Sequence, residues 1–185
     1  SITFASQDTA DYRTDLLGDY QKSNTKTAVA VIKKLPGFLV SDENIKVGLQ
    51  NVVKNTSLKG RWQVLRENPT VICDTAHNKE GLQIAINQLK NQKFEQLHIL
   101  LGVVSDKKVA DIFPFFPKAA HYYFCKPNIP RGLSEVVLQQ QAATFGLQGN
   151  TFSSVKKALD AALKSANQKD IIYVGGSTFV VAEVV

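Results

Sequence analysis

From Gly60 onward the sequence predicts an α/β fold, three layers deep and built on a mostly parallel sheet, with a mainly helical segment ahead of it. Three observations predict it. Short β-branched or apolar runs alternate with helix-period stretches of about 10–15 residues, the pattern of strands joined by crossover helices. The run Thr70-Val71-Ile72-Cys73 lacks polar alternation, as a strand covered on both faces does. Each run then gives way to a polar loop, so the chemistry gathers at one sheet edge, where open α/β sheets bind ligands.

Taken in order, residues 2–4 read as a short strand, and 8–19 as a polar, turn-rich stretch with Leu16-Leu17 its one apolar pair. Over 21–35 the pattern is helical, with Ala28, Val31, Ile32 and Leu35 on one face until Pro36-Gly37 stops it. Ser41 suits the N-cap of a second helix running to about 53, with Asp42 and Glu43 in its positive first turn. Ile45, Leu49, Val52 and Val53 form its apolar stripe. The polar connection at 54–59 reads as a domain boundary, dividing the chain into 1–59 and 60–185.

Beyond it, strands are expected at 62–65 and 70–73, joined by a polar turn at 66–68, then at 97–102, 120–125, near 150–152 and at 171–174. Helices are expected at 79–91, 107–116, 133–146 and 153–166. Leu82, Ala85, Ile86 and Leu89 give the first of these a buried face; Val155, Ala158, Leu159, Ala162 and Leu163 do so for the last. The 70–73 strand ends on Asp74, followed by His77 and Asn78, which places a carboxylate, an imidazole and a carboxamide at the ligand-binding edge. The plainer reading is that Asp74 and Asn78 cap the next helix. Gly102 to Lys107, Lys126 to Arg131 and Gly175 to Thr178 leave their strands at the same edge, a convergence that stability alone does not require.

The 185 residues, 44% hydrophobic and 21% charged, have the composition of an ordinary globular protein. No apolar run approaches the ~20 residues of a membrane span, and nothing at the start resembles a signal peptide. Cys73 and Cys125 sit inside expected strands without CxxC spacing, as buried thiols of a reducing compartment do, so a cytoplasmic protein is expected. The net charge of +6 comes from scattered lysine pairs without interleaved aromatics, which argues against nucleic acid and fits polyanionic small molecules. The chain holds no methionine and opens mid-pattern on Ser-Ile-Thr-Phe, so it is expected to be a piece of a longer protein.

No metal-ligand cluster is visible, and His98 and His121, in or beside strands, read as packing residues. Gly175-Gly176-Ser177-Thr178 lacks the GxSxG of a nucleophile elbow, though its backbone N–H groups could meet an anion at a helix start. Neither GxGxxG nor GxxxxGK[ST] occurs. A nucleotide handled here would need its main phosphate cradle from elsewhere.

A series of motifs, in order, resembles the C-terminal part of folylpolyglutamate synthase and dihydrofolate synthase, members of the Mur ligase superfamily. Gly18-Asp19-Tyr20-Gln21-Lys22-Ser23-Asn24 is similar to the family's Gly-x-x-Gln-x-x-Asn, Gly60-Arg61-Trp62-Gln63 to its Gly-Arg-x-Gln, and Asp74-Thr75-Ala76-His77-Asn78 to its Asp-x-Ala-His-Asn. Leu101-Gly102-Val103 with Asp106-Lys107, Pro130-Arg131 and Gly176-Ser177 follow in family order. The resemblance implies a Rossmann-like C-terminal domain over 60–185 and, over 1–59, the tail of a central ATPase domain.

It further implies a ligase that uses ATP and Mg2+ to phosphorylate a folate carboxylate, which the amine of L-glutamate then attacks. Asp74 would accept the ribose hydroxyls, Arg61 would reach the phosphates, and Asn24 would read the adenine edge. His77, and Ser177 with it, would face glutamate and the reacting carboxylate, His77 orienting them or serving as general base. The phosphate loop and most magnesium ligands would lie in an N-terminal P-loop domain of the same polypeptide, whose closure brings Arg61 and Asp74 onto the nucleotide. The fragment alone is then expected to be inactive, with weak ATP affinity at most. Lys79 stands where the family usually has proline, and Gly175 where it has threonine. Three other readings stay open: a peptidoglycan-precursor amino-acid ligase, a stand-alone nucleotide-binding module, and a structural α/β interaction domain.

Overall fold

The computed structural model describes residues 2–5 and 11–185. At its start, β1 (Ile2–Ala5) and β2 (Asp11–Thr14) form an antiparallel ribbon. The second strand corrects the expectation of a turn-rich stretch over 8–19, of which 8–10 lie outside the described residues. Tyr12 and Thr14 point inward and Arg13 outward, a period-2 alternation masked in the sequence because only one inward residue is large and apolar. Tyr12 packs with Val29 of α1 (Gln21–Lys33) and Ile45 of α2 (Asp42–Gln50) in a small core of its own.

Helix α1 stops two residues short of Leu35, because Pro36 biases the residue before it away from the helical region. Ser41 caps α2 as expected, its hydroxyl accepting from Asn44 N at 3.2 Å. The helix expected through 53 instead breaks at Asn51, whose backbone leaves the helical region, and resumes as α3 (Val52–Thr56).

The rest is one six-stranded sheet of β3 (Gln63–Glu67), β4 (Thr70–Cys73), β5 (Leu97–Leu101), β6 (His121–Cys125), β7 (Gly149–Phe152) and β8 (Ile171–Gly175), in the order β3-β4-β8-β5-β6-β7. Only β3 runs antiparallel, at the edge; the other pairings are parallel. The β3–β4 turn is tighter than the sequence indicated, centred on the cis Asn68-Pro69 pair rather than on 66–68.

Alternate strand residues feed two cores. Ile72, Ile99, Leu101, Tyr122, Phe124 and Tyr173 meet α4 (Lys79–Lys90) and α5 (Glu135–Ala143) on one face. Val71, Cys73, Leu100, Tyr123, Ile172 and Val174 meet α6 (Val155–Ser165) and α7 (Thr178–Ala182) on the other. The three expected layers are therefore present.

A helix expected over 107–116 is replaced by two 3-10 turns, Val109–Asp111 and Phe113–Phe115. Pro114 lacks the N–H that a continuous α-helix needs there, while Ile112 and Phe113 stay buried regardless. Helix α7 begins at the helix start that Gly175-Gly176-Ser177 suggests, but at five residues it is too short to show a period that would give it a range. Strand β8 returns to lie between β4 and β5, so the loops after β4, β8, β5 and β6 follow one another along one edge. Glycine lets them close in: a Cβ on Gly102 would come within 2.7 Å of Cys125 O, and Gly176 takes φ +92°.

Candidate functional site

Asp74 leaves the end of β4 with its backbone N–H on Val174 O (3.0 Å), and the next N–H, of Thr75, reaches Gly60 O (2.8 Å). The carboxylate points into the protein and is wholly buried. Oδ1 accepts from Ala76 N at 2.7 Å; Oδ2 accepts from Trp62 N at 2.8 Å and from the Tyr20 hydroxyl at 2.7 Å. Burial pushes its pKa up, while the hydrogen bonds from Tyr20, Ala76 and Trp62 and the charge of Arg61 pull it down; burial prevails. Burial and the adjacent Asp74 also raise Tyr20, which therefore remains a donor. Neighbouring Cys73 is inert, its thiol pushed up to about 12 chiefly by burial.

Asn78 does what the plainer reading proposed: its Oδ1 accepts from Gly81 N at 2.8 Å and caps α4. That cap gives α4 a defined start with Lys79, rather than proline, as its first residue. Asp74 does not cap α4, and its Ala76 contact is an Asx turn within the loop. At the other departure from the family pattern, a Cβ on Gly175 would meet the Tyr173 ring at 2.7 Å, a physical reason for glycine where threonine is usual.

His77 is exposed and stands between two clefts. Its Nδ1 lies 3.0 Å from Thr75 O; a carbonyl only accepts, so Nδ1 carries a proton, and in the neutral imidazole Nε2 is the nitrogen that keeps a lone pair. Lys107 Nζ donates to His77 O, tying the β5 loop to the β4 loop.

The first cleft, about 630 Å³, is lined by Tyr20, Gln21, Asn24, Arg61, His77 and Asn78 among others. Asn24 is exposed on α1, its Nδ2 donating to Gln21 Oε1 at 2.9 Å. The second cleft, about 460 Å³, is lined by His77, Asp106, Lys107, Arg131, Ser177 and Phe179 among others. There Arg131 lies 5.0 Å over the Phe179 ring and 3.6 Å from Asp106. Ser177 is buried and caps α7, its Oγ accepting from Phe179 N at 3.2 Å.

The five residues given roles thus divide: Asn24 and Arg61 on the first cleft, Ser177 on the second, His77 on both. Asp74 lies beneath the first, covered by Tyr20. Sequence reasoning did not single out Tyr20, Lys107 or Arg131. Tyr20 lay inside a quoted motif, but nothing in the sequence joins it to a carboxylate 54 positions on. Arg131 and Lys107 stood in quoted loops, and only the strand order shows which loops are neighbours. Among the described residues no group of three or more His, Cys, Asp or Glu could hold a metal ion, and no helix is long and apolar enough to cross a membrane.

Comparison with known proteins adds four findings. The family model "Mur ligase, glutamate ligase domain" matches residues 60–178. A curated Haloferax volcanii protein named "Probable bifunctional folylpolyglutamate synthase/dihydropteroate synthase" is 32% identical over 177 residues, covering 95% of this chain and 20% of its own length. The structure of Escherichia coli FolC in complex with DHPP and ADP superposes with a TM-score of 0.81 at 27% identity, over 98% of this chain and 42% of that one. A bifunctional folylpolyglutamate synthase/dihydrofolate synthase with Mn, AMPPNP and L-glutamate bound gives 0.75 at 32% identity, over 88% and 38%. The chain therefore spans well under half the length of each relative.

Proposed function

The chain belongs to the Mur ligase family, in the part that carries the glutamate ligase domain, and from that footing we propose that it is the C-terminal portion of a folate–glutamate ligase, 60–185 being the ligase domain and 1–59 the tail of a central ATPase domain. The parent enzyme would couple ATP cleavage to joining L-glutamate to a tetrahydrofolate-type acid, and to dihydropteroate if it is bifunctional. A cytoplasmic enzyme is the corresponding expectation. The single observation that carries this reading is that two clefts meet at His77. A reaction in which a phosphorylated acid meets an amine needs two such sites with one boundary.

The first cleft suits the nucleotide. Asn24 offers a donor and an acceptor to an adenine edge, and Arg61 a planar, permanently charged fork to phosphate oxygens. Asp74 would take ribose hydroxyls once its cover moves. The second cleft suits glutamate: Lys107 and Arg131 supply cations for its carboxylates, with the buried Ser177 in its lining. His77, whose Nδ1 proton is held by Thr75 O, would orient the incoming amine or, through Nε2 of its neutral form, accept a proton from it as the amide forms. Among the described residues no group of three or more His, Cys, Asp or Glu could hold a metal ion, and in this reading the Mg2+ ligands and the phosphate loop would come from an N-terminal P-loop domain.

The test is a substrate screen. The intact parent polypeptide, given ATP, L-glutamate and tetrahydrofolate or dihydropteroate, is expected to release ADP only when acid and amino acid are both present. The 185-residue chain by itself is expected to release none. ADP release by the parent that ignores glutamate would overturn the assignment, and glutamate-dependent release by the isolated chain would overturn the division of labour.

A further inference from the structure

The Oδ2 atom of Asp74 is fully engaged, with Trp62 N–H and the Tyr20 hydroxyl on its two lone-pair directions. The first donor comes from the same domain and is backbone. The second is a side chain on the wall of the first cleft, brought from the segment ahead of the domain. Its position is set by two features. The Gln88 carboxamide clamps the preceding turn with both ends, Oε1 accepting from Asp19 N at 2.7 Å and Nε2 donating to Leu17 O at 2.8 Å. The Tyr20 ring folds back over Gly18, where a Cβ would meet it at 2.9 Å.

We propose that Tyr20 is a displaceable cover on Asp74: its hydroxyl holds the place of a ligand hydroxyl, and a nucleotide's ribose diol takes that place when it enters the cleft. This rests on the reading of the first cleft as a nucleotide site. A buried carboxylate stripped of a donor is costly, so an empty site needs a substitute on Oδ2. Exchanging one O–H···O− bond for another on Oδ2 costs little, whereas a further donor there would have to share that atom with both Tyr20 and Trp62; Oδ1, with one donor from Ala76 N, has room for the diol's second hydroxyl. Tyr20 is only half-buried, so it has a direction in which to withdraw.

The experiment compares ATP with 2′,3′-dideoxy-ATP binding to the intact parent polypeptide by calorimetric titration, for wild type, Tyr20→Phe and Gly18→Ala. Tyr20→Phe keeps the ring and removes the competing hydroxyl; Gly18→Ala keeps the hydroxyl and pushes the ring off its seat. Both variants are expected to bind ATP roughly three- to tenfold more tightly than wild type, with dideoxy-ATP unchanged. Tyr20→Phe should also melt earlier than wild type and recover more of that loss with ATP than with dideoxy-ATP. Equal or weaker ATP binding by both variants, with ATP still preferred over dideoxy-ATP, overturns the cover and leaves the nucleotide site standing. ATP and dideoxy-ATP binding alike in every protein also overturns it. If none of the three proteins binds ATP at millimolar concentration, the nucleotide reading fails and the cover with it.

Discussion

Trp62 is the residue whose conformation gives most away. It is a non-glycine at φ +50°, a region that costs an ordinary L-residue about 1–2 kcal/mol, yet it is buried against Tyr173 with ring centroids 6.4 Å apart. The compensation is local: that backbone turn points its N–H at Asp74 Oδ2. Asp74 thereby gathers three donors from residues 20, 62 and 76, and works as a structural hub whatever it binds. Asp74→Asn tests the hub. A carboxamide must turn its NH2 toward either Ala76 N–H or Trp62 N–H, leaving a buried donor unmet. The expected loss is about 1–3 kcal/mol of unfolding free energy, read from urea denaturation. An unchanged midpoint would mean that the hydrogen bonds around Asp74 add nothing to stability.

At the scale of elements, the opposite edge of the sheet holds a second buried polar group. His98 on β5 lies with Nε2 3.4 Å from Asp170 Oδ2 and Nδ1 3.0 Å from the Tyr123 hydroxyl of β6, and its ring stacks on His121. Asp170, just ahead of β8, also accepts from Asn167 N and Gln96 N, so one carboxylate ties β8 to β5. Because that carboxylate only accepts, Nε2 carries the proton and Nδ1 takes the tyrosine hydroxyl, a neutral imidazole satisfied at both ends. Burial, with His121 adding to it, outweighs Asp170 and holds His98 below its ordinary 6.5. An unfolded chain then binds the proton more readily than the folded one. The neutral form's contribution is complete above pH 6.5 and is lost as the pH falls from there through the lowered folded value. Asp170, itself lowered, keeps its contribution until the pH drops below the ordinary 3.8. Wild type is therefore expected to lose stability relative to His98→Gln as the pH is lowered from 6.5, in urea titrations at a series of pH values. Parallel pH profiles for the two proteins would refute this account.

At the scale of the molecule, the small core ahead of the sheet is separate from the two cores on the sheet's faces. Tyr12, Val29 and Ile45 anchor the first, while the two faces of the sheet anchor the rest. The hydrogen bonds of Gln88 and Tyr20 all tie the 17–20 turn to the sheet domain. Gln88→Leu is accordingly expected to lower hydrogen-exchange protection in α1 and α2 by roughly tenfold or more, since it removes two such bonds, while β4, β5 and β8 keep theirs. A uniform fall across all of them would show that the two parts unfold as one.

The order of residues alone makes the layers legible, because burial on both faces of a parallel strand demands nearly continuous apolar runs, and 70–73, 97–102 and 171–174 have them. It also shows that Asp74, His77 and the glycine-bearing loops leave their strands at one edge, since that follows from parallel direction alone. Strand β2 and the extent of helix α7 were illegible because a four- or five-residue element carries too few inward side chains to show a period. Pro114 could have warned against the 107–116 helix, but the buried Ile112 and Phe113 imitate a helical face. Which loops are neighbours, the inward turn of Asp74, and the reach of Tyr20 to it from 54 positions away emerge in the folded arrangement and not before. Strand order and the docking of one segment on another depend on contacts between residues distant in the chain, and no local pattern of side chains encodes them.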